Sequence, residues 1–419
     1  MARRPLACLL LGSVVTGGSC IIVKRNLVVP IQIACVHQGY ELYGSDRSFA
    51  ESVAALRAAY PTAEIEVVLP RPGPILALLE NVASRVSFEP LWILRRKALP
   101  KLLATGAVTL PLAVRRAAAR IARCDLVYVN TSVIVDYCIA ARFFPGKVIQ
   151  HIHEIPEGST RRALRALALW GRSRLIFNSQ ATREAFAPPP GQPWDVIYNG
   201  IAGPPDWQPT RYDGSRPLHV LLLGRINRIK GQEILLAALA ALPAPLHASI
   251  SVRIVGSAFE DQGLEQALRD MVPAMGLKDC VSIEPFLDDP TPLYRWADVV
   301  AVPSRRPESL GRVAIEAMAF GRPPLASAIG GLREVVADGV TGWLLPPGDA
   351  EALTQALIEI IESPGRLAPM ARAGRERYER LFSAEAVASA ISAVAREMLE
   401  AAEARRASAN PQQHAADSA

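Results

Sequence analysis

Short apolar runs rich in branched residues alternate along the chain with longer stretches whose apolar positions recur every three or four residues. The first pattern predicts strands buried on both faces, the second amphipathic helices. In the first half the predicted strands are 31–36 (IQIACV), 64–69 (EIEVVL), 125–129 (DLVYV), 147–152 (KVIQHI), 174–178 (RLIFN) and 195–199 (DVIYN), with helices between them, as over 46–59. A Pro- and Gly-rich stretch, 200–217 (GIAGPPDWQPTRYDGSRP), interrupts the alternation and reads as a linker. Strands resume at 218–224, 251–256, 280–285, 298–304 and 323–327. This pattern predicts an α/β fold of two doubly wound, Rossmann-like domains, with ligands in the cleft beyond the C-terminal strand ends. A helix over 383–400 either closes the second domain or crosses back to the first.

Length agrees, since 419 residues exceed one ordinary domain. Residues 1–29 carry two arginines, then nineteen uncharged residues from Pro5 to Val23, then Lys24 and Arg25. Gly12, Thr16, Gly17, Gly18 and Ser19 weaken that stretch as a membrane span. A secretory signal with Cys20 as a lipid site is one reading, and an extension outside the fold or a weak anchor is the other. The tail 401–419 lacks aromatic and branched aliphatic residues and is expected to be disordered. Six scattered cysteines without a C-x-x-C pair argue against a structural zinc site or a disulfide framework.

The net charge of +6 is unevenly spread. Eight basic residues and no acidic one lie between Leu91 and Arg123, and RRALRALALWGRSR (161–174) mixes arginine with Leu and Trp. Such segments suit an anionic membrane surface or an acidic substrate, against the plainer reading of a solvated helix face. No nucleic-acid reader motif accompanies the charge.

Candidate chemistry sits in loops after strands. In HQGYELYGSDRS, Gly39 and Gly44 free the backbone and Ser45 is placed to cap the next helix. In GRINRIKG (224–231), Arg225 and Lys230 could neutralise a diphosphate, although no Gly-Lys-Ser/Thr nucleotide loop and no G-x-G-x-x-G is present. HIHEIPEG holds His151, His153, Glu154 and Glu157; a third metal ligand is lacking, and His153 suits a sugar contact or acid/base work as well as a structural place. In PSRRPESLGRVAIEAMAFGRPPLASAIGG, Glu308 and Glu316 stand eight positions apart. Continuous helix would hold them roughly 12 Å apart, too far for a glycosidase pair at roughly 5–9.5 Å. Pro307 and Gly311 predict a loop first, with Ser309 as N-cap and Glu316 about two turns along. A helix start there would seat an anion.

Taken in order, YGSDR, HE, NSQAT, VIYNGI, GRINRIKG, ADVVAVPSRRPESLGRVAIEAMAFGRP and GLREVVADGVTGWLLPPGD resemble the landmarks of retaining glycosyltransferase family 4, from about Ile31 to about Phe382. The resemblance implies a GT-B fold, with an N-terminal acceptor domain at 30–205 and a C-terminal nucleotide-sugar domain at 206–382. By that resemblance Arg225 and Lys230 hold the donor diphosphate, and Ser309, Leu310 and Gly311 offer it backbone N–H groups. Glu308 lies at the donor sugar, Glu316 at the ribose, His153 near the sugar, and Gly44 in the glycine loop. The implied reaction is sugar transfer with retention from a nucleotide-diphosphate sugar to a glycan or lipid-linked acceptor, in cell-surface polysaccharide or glycolipid synthesis. It needs no cofactor or metal, and its place is cytoplasmic, with peripheral inner-membrane contact. An epimerase or phosphorylase of the same fold, or a non-catalytic nucleotide-sugar-binding protein, are the alternatives.

Overall fold

The first sheet is wholly parallel, with seven strands in the order β3-β2-β1-β4-β5-β6-β7. In the computed structural model, which describes residues 30–41, 44–94, 99–156, 158–258 and 262–409, these are β1 Gln32–Val36, β2 Glu64–Leu69, β3 Arg85–Phe88, β4 Leu126–Asn130, β5 Val148–Ile152, β6 Arg174–Phe177 and β7 Trp194–Val196. Its helices are α1 Gly44–Ala59, α2 Leu76–Leu79, α3 Leu99–Arg123, α4 Val135–Ala141, α5 Gly158–Gly171 and α6 Gln180–Phe186. The central strands read as unbroken apolar runs because both faces are covered; all five residues of β4 are buried.

The second sheet, also parallel, has the order β10-β9-β8-β11-β12-β13. Its strands are β8 Leu218–Leu223, β9 Ile250–Val255, β10 Val281–Glu284, β11 Val299–Val302, β12 Pro324–Ser327 and β13 Trp343–Leu345. The helices are α7 Gln232–Ala240, α8 Gln262–Ala274, α9 Thr291–Trp296, α10 Arg312–Ala319, α11 Leu332–Val335, α12 Ala350–Glu362, α13 Leu367–Leu381 and α14 Ala384–Ala409. Each strand order reverses beside its first strand, between β1 and β4 and between β8 and β11, which is where doubly wound sheets bind ligands.

Two strands escape the sequence pattern. Edge strand β3 (RVSF) carries Arg85 and Ser87, which bond the Glu66 carboxylate at 2.8 Å each, and β13 has only three residues. The connection 200–217 is fixed to the second domain: Thr210 donates to Asp298 at 2.6 Å, and Arg216 grips the same carboxylate at 2.7 and 2.9 Å.

The C-terminal helix crosses back. Val387, Ile391, Val394, Met398 and Leu399 of α14 join the core formed by α1, β1 and β2. It also runs to Ala409, so the first nine residues expected to be a disordered tail are helical. Alanine, glutamate and arginine dominate there and are strong helix formers, which matters more than the missing bulky residues. The segment 1–29, the remaining tail 410–419 and Glu157 lie outside the described residues. Among the described residues no helix is long and apolar enough to cross a membrane.

Candidate functional site

The loop after β8 is folded by its own side chains. The Asn227 carboxamide oxygen accepts the N–H groups of Ile229 and Lys230 at 2.9 and 3.1 Å, and Gln232 donates to the Arg225 carbonyl at 2.9 Å. Gly231 then enters α7 at φ +73°, where a Cβ would lie 2.0 Å from the Pro303 carbonyl oxygen. Only glycine permits both that backbone conformation and that approach. The loop thus delivers Lys230 Nζ to 2.8 Å from Glu308 Oε1, while Arg225 is exposed at its start.

Glu308 belongs to the loop after β11. Its Oε1 also accepts the Ser304 hydroxyl, and its carbonyl accepts the Gly331 N–H at 2.9 Å. A Cβ at Gly330, whose φ is +56°, would fall 2.4 Å from the Glu308 carbonyl oxygen, so the Gly330–Gly331 turn backs this loop directly. The cap of α10 differs from expectation. Gly311, in the left-handed region at φ +99°, starts the helix, and Ser309 instead receives Asn178 Nδ2 from the first domain at 3.4 Å. The reason is space: a Cβ at 311 would meet Leu332 at 2.3 Å. Leu310 is buried, so it can offer a ligand only its main chain. The opening N–H groups of α10 have no helical partner and face this loop with the positive dipole end.

Residues 213–377 match the family of glycosyl transferases group 1. This segment is a group 1 glycosyl transferase domain. The chain is 35% identical over 188 residues to D-inositol 3-phosphate glycosyltransferase of Thermobispora bispora, covering 43% of this chain and 43% of that protein. A second such enzyme, from Salinispora tropica, is 39% identical over 170 residues, covering 39% and 35%. The chain therefore spans less than half the length of these curated relatives. Among solved structures, Anabaena Alr3699/HepE in complex with UDP is 26% identical, with a TM-score of 0.71 over 88% of this chain and all of that one. Its complex with UDP-glucose aligns equally, with a TM-score of 0.70. The fold is GT-B.

Within the group 1 domain, Glu316 lies in the fifth position of α10, little more than one turn in, because the helix begins later than Ser309. Arg312 Nε lies 2.7 Å from its Oε1, and the Tyr294 hydroxyl donates to its Oε2 at 2.6 Å. Glu308 and Glu316 consequently have separate cations, Lys230 and Arg312. Arg312 also reaches the first domain, standing 3.7 Å from Glu51 Oε1. Burial, with Glu316 adding and Arg312 opposing, raises the Glu51 carboxyl to about 7. A Cβ on Gly44 would lie 3.6 Å from Arg312 Cδ, so the glycine loop meets α10 there. Because α1 already starts at Gly44, Ser45 is inside the helix rather than its cap.

His153 stands apart from these carboxylates, at the C-terminal end of β5. Its Nε2 lies 2.8 Å from Asn130 Oδ1, and its ring centroid lies 4.1 Å from that of His151. Asn130 Nδ2 also contacts His37 Nδ1 at 3.2 Å, and His37 Nε2 pairs with Asp46 at 2.9 Å. Burial, then the proximity of His37, push the His153 imidazole down to about 3. It is therefore neutral at pH 7 and serves as a hydrogen-bonding group rather than a proton store. Glu154 is occupied otherwise, accepting from the Thr131 and Ser132 hydroxyls. Among the described residues no three His, Cys, Asp or Glu side chains gather as a metal site.

Arg312, Asn130 and His37 were not singled out from sequence. His37 directly follows β1 and Asn130 ends β4, the two strands flanking the first topological switch, and that position was the available signal.

Proposed function

We propose that the protein is a retaining glycosyltransferase that moves a sugar from a nucleotide-diphosphate sugar to an acceptor hydroxyl. The observation that carries this reading is the Lys230–Glu308 pair at the start of α10, inside a group 1 domain. Cleaving a sugar–diphosphate bond builds negative charge on the leaving phosphate. Lys230, Arg225 and the N–H groups of Ser309, Leu310 and Gly311 stabilise that charge without reorganising. Glu308 contacts the donor sugar, Glu316 the ribose, and neutral His153 a sugar hydroxyl, with Gly44 beside the donor. Attack from the face the phosphate leaves would retain configuration, with the phosphate taking the acceptor proton. No metal or other cofactor is assigned a role.

UDP is the first nucleotide to test, given the complexes of the Anabaena relative. A glycan or lipid-linked acceptor at the cytoplasmic face of a membrane is supported by exposed Arg161, Arg162 and Trp170 on α5 and by exposed Val108, Leu112, Arg115 and Arg116 on α3. Arg120 does not contribute, being turned inward onto Glu66 and Glu89. Cell-surface polysaccharide or glycolipid synthesis is the pathway class this favours. The test is a thermal-shift screen with UDP, GDP, ADP and their sugars, followed by acceptor-dependent nucleotide release. Stabilisation by none of them would overturn the reading. Absence of binding to anionic vesicles at low salt would overturn the membrane part alone.

A further inference from the structure

One carboxylate joins the two domains by a pair of main-chain hydrogen bonds, beside the Asn178–Ser309 and Arg312–Glu51 contacts. Glu334 of α11, in the second domain, accepts the main-chain N–H of Gln180 through Oε2 and that of Ala181 through Oε1, both at 2.7 Å. Gln180 and Ala181 open α6 of the first domain, whose next N–H, on Thr182, is taken by the Ser179 hydroxyl at 2.9 Å. The donors that a helix start leaves without carbonyl partners are thus met partly from the other domain. A carboxylate suits this place, with two acceptor oxygens for two parallel donors and negative charge at the positive end of the backbone dipoles.

The same few residues reach the donor loop. Three residues before Glu334, the Gly331 N–H bonds the Glu308 carbonyl, and a Cβ at Gly331 would come within 2.5 Å of Leu310 Cα. Two residues before Gln180, Asn178 contacts the Ser309 hydroxyl. From behind, Arg377 donates to the carbonyls of Glu334 and Val335 at 2.6 and 2.8 Å, so α11 has little freedom to yield. Gln180, Ala181 and Glu334 also form a wall of a cleft of about 590 Å³ that continues to Pro307 and Gly330.

We propose that Glu334 is a positioning residue, an interdomain clasp that holds the cleft shut and, through the Gly330–Gly331 turn, keeps the Glu308–Gly311 loop in its donor-binding shape. The catalytic part of this inference rests on the proposed transferase function; the clasp itself does not. Glutamine offers one acceptor and one NH2 group, and the latter opposes a backbone N–H, so Glu334→Gln keeps half of the clasp. Glu334→Ala keeps none.

The experiment measures small-angle scattering of the full chain with and without saturating UDP, the steady-state kinetics, UDP affinity and the melting temperature, for the wild type and both variants. In Glu334→Ala the radius of gyration rises and kcat falls about tenfold to a hundredfold, as expected of misplaced reacting groups. UDP affinity falls by less than kcat, because Lys230 and Glu316 of the second domain stay in place while the Glu308–Gly311 loop relaxes. Glu334→Gln recovers part of kcat. Burial raises the Glu334 carboxyl, with the Gln180 and Ala181 N–H groups and the Tyr198 hydroxyl opposing and Glu184 adding, so the wild type loses kcat in acid as it protonates, a limb that Glu334→Ala lacks. Unchanged scattering and kcat in Glu334→Ala would overturn the proposal. So would a loss of UDP affinity as large as the loss of kcat, which marks local damage to the donor domain. Opening of Glu334→Ala with no sugar transfer by the wild type would support the clasp and overturn the transferase reading.

Discussion

Lys230 Nζ lies 2.8 Å from Glu308 Oε1, joining the loop after β8 to the loop after β11 across the switch point of the second sheet. Both side chains are largely shielded, so neither charge is well served by water once the other is removed. Lys230→Ala and Glu308→Gln are each expected to lower turnover by about a hundredfold to a thousandfold. Circular dichroism should remain that of the wild type. Nucleotide release within a few-fold of wild type in either variant would refute the role of this pair.

Glu316 is held by Arg312 and Tyr294 and is proposed to meet the ribose, which does not change during the reaction. Loss of such a contact removes ground-state and transition-state binding equally. Glu316→Ala should therefore raise the donor KM about tenfold while kcat stays within a few-fold. Tyr294→Phe, losing one hydrogen bond worth about 0.5–1.5 kcal/mol, should move KM in the same direction by less. A fall in kcat without a change in KM would contradict this placement.

Gly330 combines a φ of +56° with a Cβ position 2.4 Å from the Glu308 carbonyl oxygen. Gly339, at φ +68°, has nothing within 4 Å of its Cβ position. Gly339→Ala should cost only the left-handed backbone strain, about 1–2 kcal/mol. Gly330→Ala adds a collision with the donor loop, and should unfold at lower urea and bind UDP more weakly. Equal unfolding midpoints for the two variants would mean that the turn does not back the loop.

The His153 ring titrates at about 3 in the folded chain against 6.5 ordinarily. Below about pH 6.5 the unfolded chain binds a proton here that the folded chain refuses until about pH 3. The stability this group contributes is present above 6.5 and is lost as pH falls through that window. The urea midpoint of the wild type should drop more between pH 8 and pH 5 than that of His153→Gln. Parallel drops would assign the acid sensitivity to other groups.

What could be read from sequence divides along local and non-local lines. The buried central strands and the loop positions of Lys230 and Glu308 follow from patterns a few residues long. The cap of α10 was misplaced because Ser309 is a good local cap, whereas the decision rests on Leu332 crowding position 311. Glu334 was unremarkable as one charge in GLREVVADG; its importance depends on two N–H groups more than a hundred and fifty positions earlier. Edge strand β3 failed the apolar test because its polar residues serve Glu66, a partner on the neighbouring strand.

The return of α14 to the first domain bears on how the chain is made. Ile33, Phe49 and Ile65 share a core with Ile391 and Met398, so the first domain lacks one wall until residues beyond the entire second domain have been synthesised. At roughly 5–20 residues per second, a nascent first domain would wait on the order of ten seconds or longer with that apolar face uncovered. The group 1 domain, with its sheet built from 218–345, can complete its own sheet before then. Maturation in this chain thus runs against the order of translation, and a ribosome stalled before 384 would release a product whose first domain is a client for chaperones.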